Sequence, residues 1–382
     1  MRKNFIFLLV GVLSLVFLFT PNTALKTNAS IISTENHKSS VLIEKNSKTI
    51  LSDNNAHLRL PIASVTKLMT VLLTLEKLEN NEINLEDKIV VSANASGMGG
   101  SQIFLDANCE YRLGDLLKSV IISSANDSSV ALAEHIAGSE NNFVRMMNER
   151  AYELDLKDTN YSNCTGLPTN DGYSSAYDQA IILSKVLDFD LYHKYSSIWM
   201  EDFVHPSGRI TGMTNTNKLS RFYEGCVGGK TGSTNQAKYC LAVGAKRNDT
   251  NLISVVLGAE NSQTRFKLAS DLLNYGFENF TSKSLLNNET VKDLTVKIKG
   301  QDRTTHVKCE REYTHICKRN ENINYSINYN LPDKLTEVTE NQIIGTAEIV
   351  IDGIIVDTIN LLSTETHKAS TFIDNFKEII NN

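Results

Sequence analysis

The spacing of apolar residues predicts a first domain in which helices lie between strands. Residues 30–60 contain short apolar runs separated by polar turns, as in a β-hairpin. Residues 63–80, 114–136 and 142–155 carry apolar side chains at helical spacing. In residues 63–80 the apolar side chains cover most of the helix circumference, which predicts a buried helix.

The pattern changes after residue 238. Residues 239–243 and 252–257 are β-type apolar runs, and residues 264–280 again have helical spacing. Strands at both ends of the segment, with helices between them, favour one antiparallel sheet that is built from the chain ends and covered by helices. The predicted fold class is therefore α/β, more narrowly α+β, for a domain at residues 30–282.

A second, smaller domain is predicted at residues 283–365. Leu294, Val296 and Ile298 alternate with polar residues, which is the period of a strand. Residues 347–356 form a predicted hairpin in which Asp352-Gly353 is the two-residue turn. The region is therefore predicted to be all β.

The N-terminus has the pattern of a secretory signal peptide. Arg2 and Lys3 precede a continuous apolar run at residues 5–19, and small residues follow at Ala24 and Ala29. We assign residues 1–29 to this segment, with an uncleaved N-terminal anchor as the alternative. The protein is therefore expected to be exported and to act at the outer face of the cytoplasmic membrane or in the cell wall.

Residues 366–382 form a predicted amphipathic tail helix. Its single apolar stripe consists of Phe372, Ile373, Phe376, Ile379 and Ile380. Such a stripe could lie flat on a membrane surface, or it could dock on the protein itself.

Composition and charge exclude several classes of protein. The chain has 382 residues, 41% of them hydrophobic, and a net charge of −6. No Lys/Arg run is long enough for a nucleic-acid partner. The eight histidines include no H-E-x-x-H and the six cysteines no C-x-x-C, so we expect neither a metal nor a cofactor. The cysteines are expected to be free or incidentally paired, with Cys226–Cys240 and Cys309–Cys317 as the pairs to test.

Three short motifs occur in one order along the chain. They are Ser64-Val65-Thr66-Lys67, Ser124-Ala125-Asn126 and Lys230-Thr231-Gly232. Each motif alone is weak, because S-x-x-K and K-T-G arise often by chance. Together, in this order and in an exported chain, they indicate a serine acyl-transfer site.

The first motif supplies a nucleophile and a base. Ser64 and Lys67 are three residues apart and share one helix face. A serine hydroxyl needs a base, and a lysine serves as one only when its pKa is lowered. Burial in the apolar helix would lower the pKa of Lys67, and a second positive charge at Lys230 would add to this effect.

The other motifs supply binding and proton transfer. Ser124 could relay a proton towards the leaving amine, and Asn126 could hold both Lys67 and a substrate amide. Lys230 and Thr231 offer donors to a carboxylate, and Gly232 allows a substrate backbone to approach the strand closely. The backbone N–H groups of Ser64 and Ser233 are candidates for an oxyanion hole.

With these motifs, the chain resembles the low-molecular-mass penicillin-binding proteins that are serine-type D-alanyl-D-alanine carboxypeptidases, peptidase family S11. Four further segments carry the resemblance, at residues 60–70, 99–103, 131–139 and 165–168. The resemblance covers residues 31–280 closely, and it continues more loosely through the β domain and the tail.

The resemblance implies a penicillin-binding/serine β-lactamase-like fold and acylation of Ser64 by a peptidoglycan stem pentapeptide, with loss of the terminal D-Ala. It makes Lys67 the base, with Ser124 and Asn126 assisting. It also makes Lys230 and Arg265 contacts of the substrate carboxylate, and β-lactam antibiotics covalent inhibitors. This chain differs from the family's usual pattern at Lys238, where the family often has Gly, and it lacks the Asp that usually precedes K-T-G.

Three other functions share parts of this pattern. A class A β-lactamase would need a carboxylate in an E-x-x-L-N segment, and here Glu153-Leu154-Asp155-Leu156-Lys157 matches only its first part. A D,D-endopeptidase would use the same catalytic set. A penicillin sensor without turnover would retain the acyl group.

Overall fold

The computed structural model describes residues 36–299 and 303–369. The predicted signal peptide lies outside these residues, as does the predicted tail helix except for residues 366–369. In the described residues no helix is both long and apolar enough to cross a bilayer.

The helices and strands up to residue 279 follow the predicted alternation. The helices are α1 (Lys67–Glu79), α2 (Ala93–Ser96), α3 (Leu113–Ile122), α4 (Asn126–Ala137), α5 (Glu140–Glu153), α6 (Ala176–Val186), α7 (Asp190–Ser196), α8 (Leu219–Phe222) and α9 (Ser262–Asn279). The strands are β1 (Ser39–Glu44), β2 (Ile50–Asn54), β3 (Lys88–Val90), β4 (Glu110–Arg112), β5 (Met200–Val204), β6 (Ile210–Thr214), β7 (Cys226–Thr234), β8 (Lys238–Arg247) and β9 (Thr250–Ala259).

The central sheet joins the two ends of this region. Its five strands lie in the order β2-β1-β9-β8-β7, and all neighbouring pairs are antiparallel. Val41 and Ile43 of β1 contribute to the apolar core that includes α1, α3, α4 and α6, whereas Leu42 packs on the opposite side with α9. The sheet is therefore buried on both faces, and the predicted α+β architecture is confirmed.

The predicted single helix at 114–136 was wrong, because the chain breaks between α3 and α4. Ser123 ends α3, Ser124 has a left-handed backbone (φ +64°), and Asn126 begins α4. The break falls in residues 123–129, a run of small and mostly polar side chains between the apolar positions of the two helices. Because of the break, the Ser124 side chain does not point in the direction that it would have in a continuous helix.

The remaining chain forms an all-β region, as predicted. It contains β10 (Phe280–Leu286), a short helix α10 (Asn288–Val291), β11 (Thr295–Ile298), β12 (Thr304–Cys309), β13 (Tyr313–Lys318), β14 (Tyr325–Asn330), β15 (Lys334–Leu335), β16 (Ile343–Ile351) and β17 (Ile354–Ser363). Six strands form one sheet, in the order β14-β16-β17-β12-β11-β15, over a separate apolar core. The predicted Asp352-Gly353 turn joins β16 to β17, and both residues have positive φ.

The predicted tail helix needs correction at its start, whereas the cysteines have one of the two states expected of them. Residues 366–369 are not helical, and His367 instead makes an antiparallel bridge with Val338. The six cysteines are free thiols. Cys226 lies opposite Ala245, five residues from Cys240 along β8, which is too far for a disulfide between them.

Candidate active site

The candidate nucleophile, Ser64, lies at the start of the buried helix. A 3-10 turn at Ala63–Thr66 leads into α1, so Ser64 precedes the first helical residue and is half-buried. Ala63 holds a left-handed backbone (φ +49°) that is unfavourable for a residue with a Cβ. This strained turn directs the Ser64 hydroxyl towards Lys67, whose Nζ lies 3.0 Å from it.

Lys67 is buried without a carboxylate partner. Its side chain is 0% exposed, and its Nζ donates hydrogen bonds to Ser64 Oγ and, at 2.6 Å, to the carbonyl of Thr165. Burial lowers the pKa of Lys67 to about 7. Much of the population therefore carries a neutral amine at neutral pH, and this amine can accept the serine proton.

A second serine–lysine contact stands beside the first. Lys230 of β7 is 2% exposed, and its Nζ donates to Ser124 Oγ at 2.7 Å. Burial, together with repulsion from Lys67 and Arg265, holds the pKa of Lys230 well below its usual value. The expected repulsion between the two lysines is therefore present, but it acts on Lys230, whereas burial accounts for the low pKa of Lys67.

Asn126 has an open hydrogen-bonding position. Its Nδ2 donates to the carbonyl of Gly99 at 2.6 Å rather than contacting Lys67, as the sequence had suggested. Its Oδ1 is buried and has no hydrogen-bond partner. A buried acceptor of this kind is suited to a substrate N–H.

The loop at residues 99–105 is fixed to the Ser124–Asn126 motif by backbone hydrogen bonds. The next residue, Asp127, accepts backbone hydrogen bonds from Ile103 and Leu105, both at 3.1 Å. Asn126 itself donates its backbone N–H to the carbonyl of Ser101. The charge of Asp127 is therefore used to hold the loop that carries the Gly99 carbonyl.

Strand β7 packs closely against the nucleophile. A Cβ added at Gly232 would lie 2.6 Å from the Ile62 carbonyl oxygen and 2.9 Å from the Ser64 backbone nitrogen. Thr231 is 5% exposed and Ser233 is exposed at the open edge. The close approach brings the predicted oxyanion donors, the N–H groups of Ser64 and Ser233, to neighbouring elements.

The strand keeps its shape despite the two departures from the family pattern. Lys238 adopts the left-handed conformation (φ +56°) for which glycine is common, and the β7–β8 hairpin pairs through Thr234 and Lys238. On the other side, Gly228 has φ +142° and packs against Tyr192, whose hydroxyl donates to the Gly229 carbonyl.

Arg265 contacts the strand backbone. Its Nη1 donates to the carbonyls of Gly232 and Cys240, at 2.9 and 3.2 Å, and the guanidinium stacks against Tyr239 and Phe266. It is 8% exposed. Arg265 therefore braces the K-T-G strand, and its predicted contact with a substrate carboxylate stays a prediction.

Sequence reasoning missed the turn that positions Lys67. Asn163 Oδ1 accepts hydrogen bonds from the N–H groups of Thr165 and Gly166, at 3.1 and 2.6 Å, and Asn163 Nδ2 donates to the Leu167 carbonyl. Gly166 has φ +79°, and a Cβ there would lie 1.9 Å from the Ala63 carbonyl oxygen. An Asn three residues before a Gly is a turn signal, but it does not reveal which side chain the turn serves.

One group in the described part of the chain has side chains close enough to share a metal ion, namely His57, Asp158 and Asp178. Asp158 is already paired with His57 and Arg59. Asp178 accepts hydrogen bonds from Thr159 and from the Asp158 backbone. These contacts give the cluster a structural role, and it adds nothing to the serine site.

The fold and the two serine–lysine contacts define a serine acyl-transfer enzyme of the penicillin-binding class. Residues 26–261 match the family of D-alanyl-D-alanine carboxypeptidases, peptidase S11, and residues 280–369 match the C-terminal domain of penicillin-binding protein 5. The chain belongs to the S11 family.

Three similar proteins illustrate the range of this family. D-alanyl-D-alanine carboxypeptidase DacF of Bacillus subtilis is 35% identical over 378 residues, which cover 98% of this chain and 96% of the relative. The crystal structure of penicillin-binding protein 5 from Haemophilus influenzae has a TM-score of 0.70 at 29% identity, covering 87% of this chain and 97% of that one. A D-alanyl-D-alanine endopeptidase of Pseudomonas aeruginosa is 30% identical, over 61% of this chain and 75% of its own.

We expect acylation of Ser64 to fail on acidification. Because the amine of Lys67 must be neutral, the rate should fall about tenfold per pH unit below the Lys67 pKa of about 7. The measurement is the rate of labelling by a fluorescent penicillin between pH 5 and pH 9. A flat profile over this range would contradict a lysine base.

We expect Asn163→Ala to slow acylation by about tenfold to a hundredfold, because the Thr165 carbonyl would no longer be fixed against Lys67. This carbonyl stabilises the ammonium form, so the acid limb of the pH profile should also move to lower pH. Asn160→Ala is the matched control, since Asn160 donates to Asp171 elsewhere in the same loop. Equal effects of the two variants on rate and pH profile would rule out a specific role for Asn163.

Proposed function

We propose that this protein is a serine D,D-carboxypeptidase that removes the terminal D-Ala from peptidoglycan stem pentapeptides through an acyl-enzyme on Ser64. The single observation that carries the proposal is the 3.0 Å contact between Ser64 Oγ and the Nζ of Lys67, a fully buried lysine. Family membership supports the reaction class, and the same site would be acylated by β-lactams.

Acylation follows from the positions of the groups. The neutral amine of Lys67 takes the hydroxyl proton of Ser64, and the serine oxygen forms a bond to the carbonyl carbon of the penultimate D-Ala. The N–H groups of Ser64 and Ser233 stabilise the oxyanion. When the C–N bond breaks, Ser124 relays the proton held by Lys67 to the departing amine of the terminal D-Ala, which returns Lys67 to its neutral form. Lys67 then takes a proton from water as the water oxygen bonds to the acyl carbon, and that proton passes to Ser64 Oγ when the ester bond breaks and the shortened stem leaves.

The charge of the site suits a substrate that ends in a carboxylate. Lys67, Lys230 and Arg265 are all buried, and repulsion from the other two helps to lower the pKa of Lys230. A carboxylate next to Lys230 and Thr231 would offset this repulsion and stabilise the ammonium form of Lys230. A stem peptide with a free C-terminal D-Ala supplies that group.

An endopeptidase is the closer alternative, because the catalytic groups would be the same and one relative carries that name. A class A β-lactamase is disfavoured by Glu153. This residue ends α5 on the surface and pairs with Arg150, so it does not supply a carboxylate to the serine.

We expect the mature protein to release D-alanine from a peptide ending in Lys-D-Ala-D-Ala and to be labelled by a fluorescent penicillin. Ser64→Ala should abolish both activities. Ser233→Ala is the matched control, because only the backbone of Ser233 is needed, and it should retain both. Labelling of the Ser64→Ala variant would refute the assignment of the nucleophile, and release from crosslinked dimers alone would indicate an endopeptidase.

We also propose that residues 1–29 direct export and that the predicted tail beyond residue 369 attaches the protein to the membrane surface. The support is the sequence pattern, an apolar signal segment and a single apolar stripe in the tail. The substrate class agrees with this location, since peptidoglycan lies outside the cytoplasmic membrane.

Phe376→Asp should weaken co-sedimentation of the mature protein with phosphatidylglycerol–phosphatidylcholine vesicles by about tenfold, because it puts a charge into the apolar stripe. Asn375→Asp adds the same charge outside the stripe and should bind as the parent does. Equal binding of all three proteins would exclude this attachment.

A further inference from the structure

A cleft of about 590 Å³ opens between the central sheet region and the all-β region. One side is formed by the turn between β1 and β2 together with Tyr177 at the start of α6. The other side is formed by β13, the residues just before it, and the start of β17. The lining residues are Asn46, Ser47, Lys48, Thr49, Ile50, Tyr177, Arg311, Glu312, Tyr313, Thr314, His315, Ile316, Val356 and Asp357.

The two sides are held together by apolar packing and hydrogen bonds. Ile316 of β13 is 4% exposed and belongs to the same apolar cluster as Phe277 and Phe280. The N–H of Ser282 donates to Thr250 Oγ1 at 2.9 Å, and the N–H of Arg319 donates to the Asn279 carbonyl. The cleft is therefore a preformed feature of the fold.

The charges that line the cleft compensate one another. Arg311 donates from Nη2 to both carboxylate oxygens of Asp357, at 2.6 and 2.8 Å. Lys48 turns its Nζ to Ser184 Oγ at 2.7 Å, and Glu312 supplies the remaining negative charge. Burial lowers the pKa of His315, which keeps it neutral at pH 7. A polar ligand without net charge fits this cleft better than a polyanion does.

The side chains of the cleft combine aromatic faces with hydrogen-bonding groups. Tyr177 comes from the first region and Tyr313 from the β region, and both are half-buried. Tyrosine offers an apolar face and a polar tip, which suits a ligand with both C–H faces and hydroxyls. Asn46, Thr314 and Glu312 add amide, hydroxyl and carboxylate groups at the rim. This is the chemistry that binds an N-acetylated sugar.

We propose that the cleft binds the glycan strand of peptidoglycan, as an uncharged chain of N-acetylated hexoses. The choice of glycan rests on the proposed function, which makes peptidoglycan the substrate. In that polymer the lactyl carboxyl of each muramoyl residue that carries a stem is tied up in an amide, so the strand there has the neutrality that the cleft requires.

The cleft is separate from the catalytic groups. Lys230 lies opposite Ala242, Ala242 opposite Val255, and Val255 opposite Val41, so β7 and β1 are three strand spacings apart. The turn beyond β1 begins three residues further along, after Glu44. These steps place the cleft about 17 Å or more from Lys230. Glycan binding there would raise the effective concentration of stems at Ser64 without touching the reaction.

The test uses the full mature chain with Ser64→Ala, which prevents turnover. Chitohexaose, an uncharged chain of N-acetylated hexoses, is titrated calorimetrically into this protein and into the same protein with Tyr313→Ala or Glu312→Ala. We expect each cleft change to weaken glycan binding by about tenfold, equivalent to about 1.4 kcal/mol. Tyr325→Ala is the matched control, a tyrosine of the same region that is 49% exposed and outside the cleft.

The same cleft changes in the active enzyme should leave D-alanine release from a soluble pentapeptide unchanged and lower release from intact glycan-linked stems. Glu312 is exposed, so Glu312→Ala should fold, and its glycan affinity tests the proposal even if Tyr313→Ala does not fold. Unchanged glycan affinity in the cleft variants, or binding of the stem peptide but not of glycan, would overturn the inference. Glycan binding lost in these variants supports it even if the parent releases no D-alanine, a result that would count against the proposed function alone.

Discussion

The site depends on the burial of one amine without a carboxylate. Lys67 is fully enclosed, and its polar contacts are a hydroxyl and a carbonyl, both neutral. A carboxylate in contact with it would raise its pKa again and remove its basicity. The buried acid Asp127, whose charge acts on Lys67, uses its oxygens to hold the backbone of the loop that follows Gly99. The fold thus keeps an anion close enough to shape the site and away from the base.

Two residues with strained backbones direct the serine hydroxyls of the site. Ala63 and Ser124 both have left-handed backbones, and each directs a serine hydroxyl towards a buried lysine. Such conformations persist only where the surroundings determine them. At Ala63 the contacts of Gly166 and Gly232 do so, because the backbones of the 163–167 turn and of β7 approach the turn at residues 62–65 more closely than a side chain would allow.

How much could be predicted from the sequence differs between these parts. The motif residues and an antiparallel sheet built from the chain ends were predictable, since S-x-x-K places Ser and Lys side by side and apolar periodicity marks strands and helices. The left-handed backbone at Ser124 was not, because the polar run at residues 123–129 marks an interruption of the apolar spacing without fixing the direction of any side chain. Nor was the contact from Thr165 to Lys67, which joins residues 98 apart and depends on tertiary packing. At Lys238 the sequence departs from the family pattern, but the backbone does not, because Lys238 adopts the left-handed conformation expected of glycine.

The absence of a carboxylate at the serine also bears on the second half of the reaction. A class A β-lactamase activates its hydrolytic water with a glutamate, whereas here Glu153 is on the surface and Asp127 is engaged by backbone groups. In the described residues of the site, the remaining basic groups near the acyl-serine are Lys67 and the Lys230–Ser124 pair. Because Lys67 contacts Ser64 Oγ and Lys230 contacts Ser124 Oγ, we propose that Lys67 serves both acylation and deacylation, and a change that alters the Lys67 pKa should then alter both steps. A sensor that holds its acyl group and an enzyme that turns over would then differ in how water reaches Lys67, and not in the identity of the base.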